Sequence, residues 1–118
     1  MSRCRYSRLL VTELFDDKRN PGARKTLELF GTSAIIVGPH GAGLSNIAVA
    51  PPGTTVVEFI VSGRAINICY MVFATKLAVD YHAVTDPKSG QAAPMTVDVE
   101  KVAGIVRAAL AVDGRGSG

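Results

Sequence analysis

Two apolar runs, "SAIIVG" (Ser33–Gly38) and "TTVVEFI" (Thr54–Ile60), constrain the fold more than any other feature of the chain. Both are rich in β-branched residues and neither alternates with polar ones. That is the pattern of a strand covered on both faces, as in a parallel sheet. The first run stops at Pro39, His40 and three glycines and then resumes. Such a stop is either a tight structural corner or a place where backbone meets a ligand.

The surrounding sequence alternates strand and helix signals. In "NPGARKTLELFG", Asn20 can cap, Pro21 suits the first helical position, Ala23, Leu27 and Phe30 share a face, and Gly31 ends the helix. "GLSNIAVA" gives about two helical turns before Pro51 and Pro52 stop it. Ile66, Tyr70, Phe73 and Leu77 recur at helical spacing, "AVDYHAV" reads as a strand, and "DPKSGQAAP" reads as a loop. Asp98 can cap a last helix whose Val99, Val102, Val106 and Ala109 turn inward. "RLLVTELF" (Arg8–Phe15) fits a first strand or a short helix. The expected architecture is a Rossmann-like α/β domain, a parallel sheet with helices on both faces. It is expected over 8–112, with a basic tail at 1–7 and a flexible tail at 113–118.

Composition narrows the function classes. A chain of 118 residues, 47% hydrophobic, can form one domain with a core but hardly two. A net charge of +3 is too slight to argue for a nucleic-acid partner. Arg3, Arg5 and Arg8 crowd the N-terminus as a solvated tail or as half of an anion site. No apolar run is long enough to span a bilayer, no signal-peptide pattern opens the chain, and no membrane contact is expected from it. Cys4 and Cys69 form neither a CxxC pair nor a metal-ligand spacing, so no metal site is expected, and Cys69 is expected in the core.

Ligands of open parallel sheets bind beyond the carboxyl ends of the strands, where Gly38–Gly43 falls. Glycines permit φ > 0 and close backbone approach, and the following helix offers free amides and a positive dipole end. A phosphate suits that setting. The spacing of Gly38, Gly41 and Gly43 is nevertheless G-x-x-G-x-G, neither the dinucleotide fingerprint nor a P-loop, so a purely structural corner stays open. His40 offers a donor to a phosphate or is an exposed loop histidine. Asn46 either binds ligand or bonds to nearby backbone. Glu58, a carboxylate in an apolar strand, requires a specific donor: a ribose hydroxyl, a backbone amide or a lysine. His82 reads as structural, and Asp80 and Asp86 as surface residues.

The combination "GPHGAGLSN" with "APPGTTVVE" resembles the C-terminal, nucleotide-sugar-binding part of the family 61 glycosyltransferases, a similarity followed from about Phe30 to Leu110. That family includes plant xylan arabinosyl- and xylosyltransferases and animal enzymes adding N-acetylglucosamine to protein-linked acceptors. The resemblance implies a GT-B architecture and an inverting, metal-independent transfer, without cofactor, from a uridine-linked nucleotide sugar to a glycan or protein-linked acceptor. It implies that Gly38, His40, Gly41, Ala42, Gly43 and Asn46 surround the diphosphate, and that Glu58 lies near the ribose or shapes its pocket. An N-terminal acceptor domain and the catalytic base have no counterpart in this sequence, so the chain is expected to be a fragment or part of a larger assembly, inactive alone. A non-catalytic subunit and a stand-alone nucleotide or anion binder are the alternatives. The implied compartment is the secretory lumen for a eukaryotic member and the cytoplasm for a bacterial one.

Overall fold

A computed structural model describes residues 12–16, 21–61, 68–86 and 96–116. The elements run α1 (Ala23–Gly31), β1 (Ile35–Pro39), a 3₁₀ helix (Ala42–Val49), β2 (Thr55–Val61), α2 (Cys69–Ala74), β3 (Asp80–Asp86) and α3 (Val99–Gly116). The strands form one parallel sheet in the order β1-β2-β3. The fold is α/β and compatible with the Rossmann-like expectation.

The chain crosses the sheet in one direction, so right-handed crossovers put the 3₁₀ helix and α2 on the same face. The core lies there. Phe30 of α1, Leu44 and Ile47 of the 3₁₀ helix, Ile36 of β1 and Val56 of β2 form its buried cluster, with Tyr70 and Phe73 of α2 and Tyr81 of β3 packed against it. On the other face Ile35, Thr55 and His82 share a cavity with Ile105 and Ala109 of α3. Helices thus serve both faces, but only one is tightly packed.

β2 is the doubly covered strand its sequence predicts: Val56, Val57, Glu58 and Ile60 are all buried. β1 is not. Only Ile36 is buried and Val37 is 43% exposed, because among the described residues β1 pairs with β2 alone and no helix packs tightly on its second face. The turn entering β2 uses Pro52 and Gly53, with Thr54 N–H donating to the Pro51 carbonyl and Gly53 at φ 85, a type II arrangement.

Several local expectations need correction. α1 starts two residues later than read, with Gly22 rather than Asn20 at the N-cap, and runs through Gly31 to a C-cap at Thr32. "GLSNIAVA" is helical as read, wound as 3₁₀ over Ala42–Val49. Residues 12–16 carry no regular structure, and 8–11 lie outside the described residues. α2 is short, and Cys69, its first residue, is exposed: Tyr70 and Phe73 take the inward side, about 100° away per residue step. Asp98 does cap α3, accepting from Lys101 N–H at 3.1 Å, but Val99 is 69% exposed while Val102, Val106 and Ala109 are half-buried. α3 continues to Gly116, past the boundary drawn at 112. The basic tail, Cys4, Ile66 and most of the 86–94 loop lie outside the described residues.

Candidate functional site

Sheet register brings three polar side chains together on one face, running from mid-sheet to the carboxyl end of β1. Glu58 pairs directly with Gly38 on β1 and Ala83 on β3, both small. The partners of a long side chain must then come diagonally. His40 lies two residues beyond Gly38, and Tyr81 two before Ala83, so both share the face of Glu58. His40 Nδ1 stands 2.6 Å from Glu58 Oε2, and the Tyr81 hydroxyl donates to Oε1. The carboxylate is fully buried while His40 keeps about 30% of its side chain exposed. Tyr70 of α2 flanks the imidazole, its ring 5.2 Å away.

A buried carboxylate is tolerated only when its oxygens are supplied with donors, and both are. The Tyr81 phenol is held well above the ordinary tyrosine range, first by burial and then by its hydrogen bond to Glu58. Tyr70 is also raised, by burial and then by the nearby Cys69 and Glu58. Tyr81 was not singled out by sequence reasoning. The available signal was an aromatic residue with a hydroxyl at the second position of the strand "DYHAVTD", useful only once the register was known.

The glycine loop lies beside this group. His40 N–H is taken by the Phe59 carbonyl, and the first bond of the 3₁₀ helix is Leu44 N–H to the Gly41 carbonyl, so the amides of Gly41, Ala42 and Gly43 precede any intrahelical acceptor. Positive φ, expected of these glycines, is found only at Gly22 and Gly53 among the described residues. Gly41 is fully extended at φ 173, a conformation open to any residue. Space is open at Gly38 and Gly41, as it is at Gly22, Gly53 and Gly104. A Cβ would meet nothing within 4 Å at Gly38 and only the Pro39 carbonyl, at 4.0 Å, at Gly41. Gly43 has a packing reason instead, since its Cβ would stand 3.3 Å from the Phe15 ring.

Asn46 sits on the 3₁₀ helix with Nδ2 donating to the Gly43 carbonyl at 2.8 Å, fixing the loop from behind. A cavity of about 400 Å³ opens at this end, bordered by Gly38, His40, Gly41 and Gly43 and by Glu13 and Asp16. A second, of about 790 Å³, lies at the amino end and takes in Asp80, His82 and Lys101. His82 Nε2 is 3.0 Å from Asp80 Oδ2 there, on the surface. Among the described residues no three His, Cys, Asp or Glu side chains gather as a metal site, and no helix is long and apolar enough to cross a membrane.

Comparison with known proteins gives one match. The family model described as Glycosyltransferase 61 fits residues 11–57, well under half of the chain but including the whole glycine loop. The chain is therefore similar to a family 61 glycosyltransferase over that segment. The match begins earlier than the span read from sequence and ends one residue before Glu58. No curated protein and no solved structure matches the chain significantly.

Proposed function

Taking the chain as glycosyltransferase-like, we propose that it is the nucleotide-sugar-binding part of an inverting, metal-independent enzyme of GT-B type, with the diphosphate of a uridine-linked sugar lying against Gly38–Gly43. One observation carries the reading: the matched segment contains a loop at the carboxyl end of β1 whose Gly38 and Gly41 face open space that no internal packing or backbone strain requires. Glycine there is explained by a guest approaching the backbone.

The chemistry follows from charge. Cleavage of the bond between the anomeric carbon and the diphosphate builds negative charge on the phosphate oxygens, and fixed donors aimed at them lower the barrier. The amides of Gly41, Ala42 and Gly43 and the imidazole of His40 are those donors, and they balance the charge in place of a cation. Asn46 holds the loop's shape. Of the two roles open to Glu58, shaping the pocket suits a buried carboxylate whose oxygens are already engaged. Deprotonation of the acceptor hydroxyl is assigned to residues outside this chain, on a glycan- or protein-binding domain.

Calorimetric titration with uridine diphosphate, with and without chelator, tests the reading. Weak binding unaffected by the chelator is expected, with no sugar transfer by the chain alone. Gly41→Val should lower affinity at least tenfold while the thermal midpoint stays close to wild type. Unchanged affinity in that variant removes the phosphate cradle, and robust transfer by the chain alone relocates the catalytic machinery. Binding without transfer even when an acceptor domain is supplied favours a non-catalytic subunit.

A further inference from the structure

We propose that Glu58 and Tyr81 are positioning residues acting through His40: they fix its Nδ1–H, so that Nε2 alone can meet a phosphate, and only from the doubly protonated ring, which couples anion binding to proton uptake. The proposal rests on the diphosphate reading and deepens it.

The network leaves little choice of protons. An ionised carboxylate only accepts, so Glu58 Oε2 requires hydrogen on His40 Nδ1, while Oε1 takes the single hydroxyl proton of Tyr81. Burial keeps that phenol protonated. With Nδ1 carrying hydrogen, the neutral imidazole has a bare lone pair at Nε2 and repels a phosphate oxygen. The imidazolium carries hydrogen at both nitrogens, one for Glu58 and one for the ligand.

The surroundings strengthen the requirement. From β2 the ring faces Glu58, from β3 it faces Tyr81 through Glu58, and from α2 it faces Tyr70. Glu13 and Asp16 of the preceding segment border the same cavity, and no lysine or arginine among the described residues does. Among the described residues bordering the cavity, His40 is the group able to become positive toward an entering anion.

Uridine diphosphate glucose is the probe, because its phosphates stay ionised across the pH range used. Calorimetry at pH 6 and pH 8, each in two buffers of different ionisation heat, should show at least tenfold weaker binding at pH 8 and proton uptake on binding there. Nitrogen-15 spectra of the histidine rings, assigned with a His82→Gln variant, should show neutral His40 as the Nδ1–H tautomer. Glu58→Gln can no longer accept from both donors, so the Nε2–H tautomer should appear and the pH dependence should shrink to about threefold or less. Tyr81→Phe leaves the carboxylate in place and still decides the matter should Glu58→Gln not fold: neutral His40 should remain the Nδ1–H tautomer, while binding at pH 6 weakens twofold to fivefold because Glu58 is held by one partner fewer. A wild-type Nε2–H tautomer, or binding equally insensitive to pH in wild type and His40→Ala, overturns the proposal. Absence of binding at both pH values defeats the diphosphate reading instead, while the tautomers of wild type and Glu58→Gln still decide the positioning role.

Discussion

His40–Glu58 and His82–Asp80 are the same chemical pair on opposite faces of one sheet, and they differ in almost everything that matters. The first joins residues 18 apart in sequence, is closed at 2.6 Å and rests on a fully buried carboxylate with a second donor from β3. The second joins neighbours two apart on one strand, at 3.0 Å, with the aspartate 65% exposed. Exposed pairs are screened by water and contribute little, whereas a buried carboxylate makes each of its donors costly to remove. The larger cavity lies with the weaker pair. Volume at the amino end reflects a loosely seated α3, and chemistry is concentrated beside the loop that follows β1.

The difference should appear most strongly in stability. Glu58→Ala leaves His40 and Tyr81 without an acceptor and opens a hole beside Val56, so a loss of about 3 kcal/mol is expected. Asp80→Ala should cost less than about 0.5 kcal/mol. Urea melts of both variants at pH 7 make the measurement, and equal losses would erase the distinction between the two pairs.

Alkaline pH sharpens the comparison through Tyr81. Its folded pKa is raised above the unfolded value of about 10. Above pH 10 the unfolded chain therefore releases a proton that the native one keeps, and unfolding free energy falls with a slope approaching about 1.4 kcal/mol per pH unit. The contribution is intact below about pH 10 and is lost as pH climbs beyond it. Urea melts at pH 9, 10 and 11 should show the decline in wild type and a shallower one in Tyr81→Phe. Absorbance at 295 nm should show Tyr70 and Tyr81, two of the three tyrosines, ionising late while the chain is folded. Identical slopes would mean that the Tyr81 phenol is not held in the buried network.

Much of this arrangement was legible in the residues, and the remainder was not for identifiable reasons. "TTVVEFI" declared a doubly covered strand because its burial is nearly complete, and the glycine loop fell at a strand's carboxyl end as the architecture requires. "SAIIVG" looked alike but is the outer strand among the described residues, since composition cannot report which strand will be central. Glu58 demanded a donor, yet His40 and Tyr81 are brought to it by register, a long-range property absent from any local window. Cys69 was misjudged because burial on a short helix turns on a rotation of one residue. The glycines were read through backbone freedom, whereas three of them, Gly38, Gly41 and Gly43, divide by what lies beyond the Cβ position.

That division gives the smallest effect and the finest test. At Gly41 an added methyl meets only a carbonyl at 4.0 Å, on extended backbone, so Gly41→Ala should change stability by less than about 0.5 kcal/mol. At Gly43 the methyl comes within 3.3 Å of the Phe15 ring, which is itself set edge-on to Phe30 with centroids 5.2 Å apart and cannot retreat freely. Alanine also recovers up to about 1 kcal/mol of helical preference over glycine, so the steric cost must exceed that to show. A net loss of about 1 kcal/mol is expected at Gly43, within the range for overpacking a filled site. Thermal melts of Phe15→Leu, Gly43→Ala and the double variant separate the terms, because the narrower leucine should absorb the methyl and make the double variant more stable than the sum of the single losses. Additive losses would show that Phe15 does not limit Gly43, and both loop glycines would then be explained by the open space beside them.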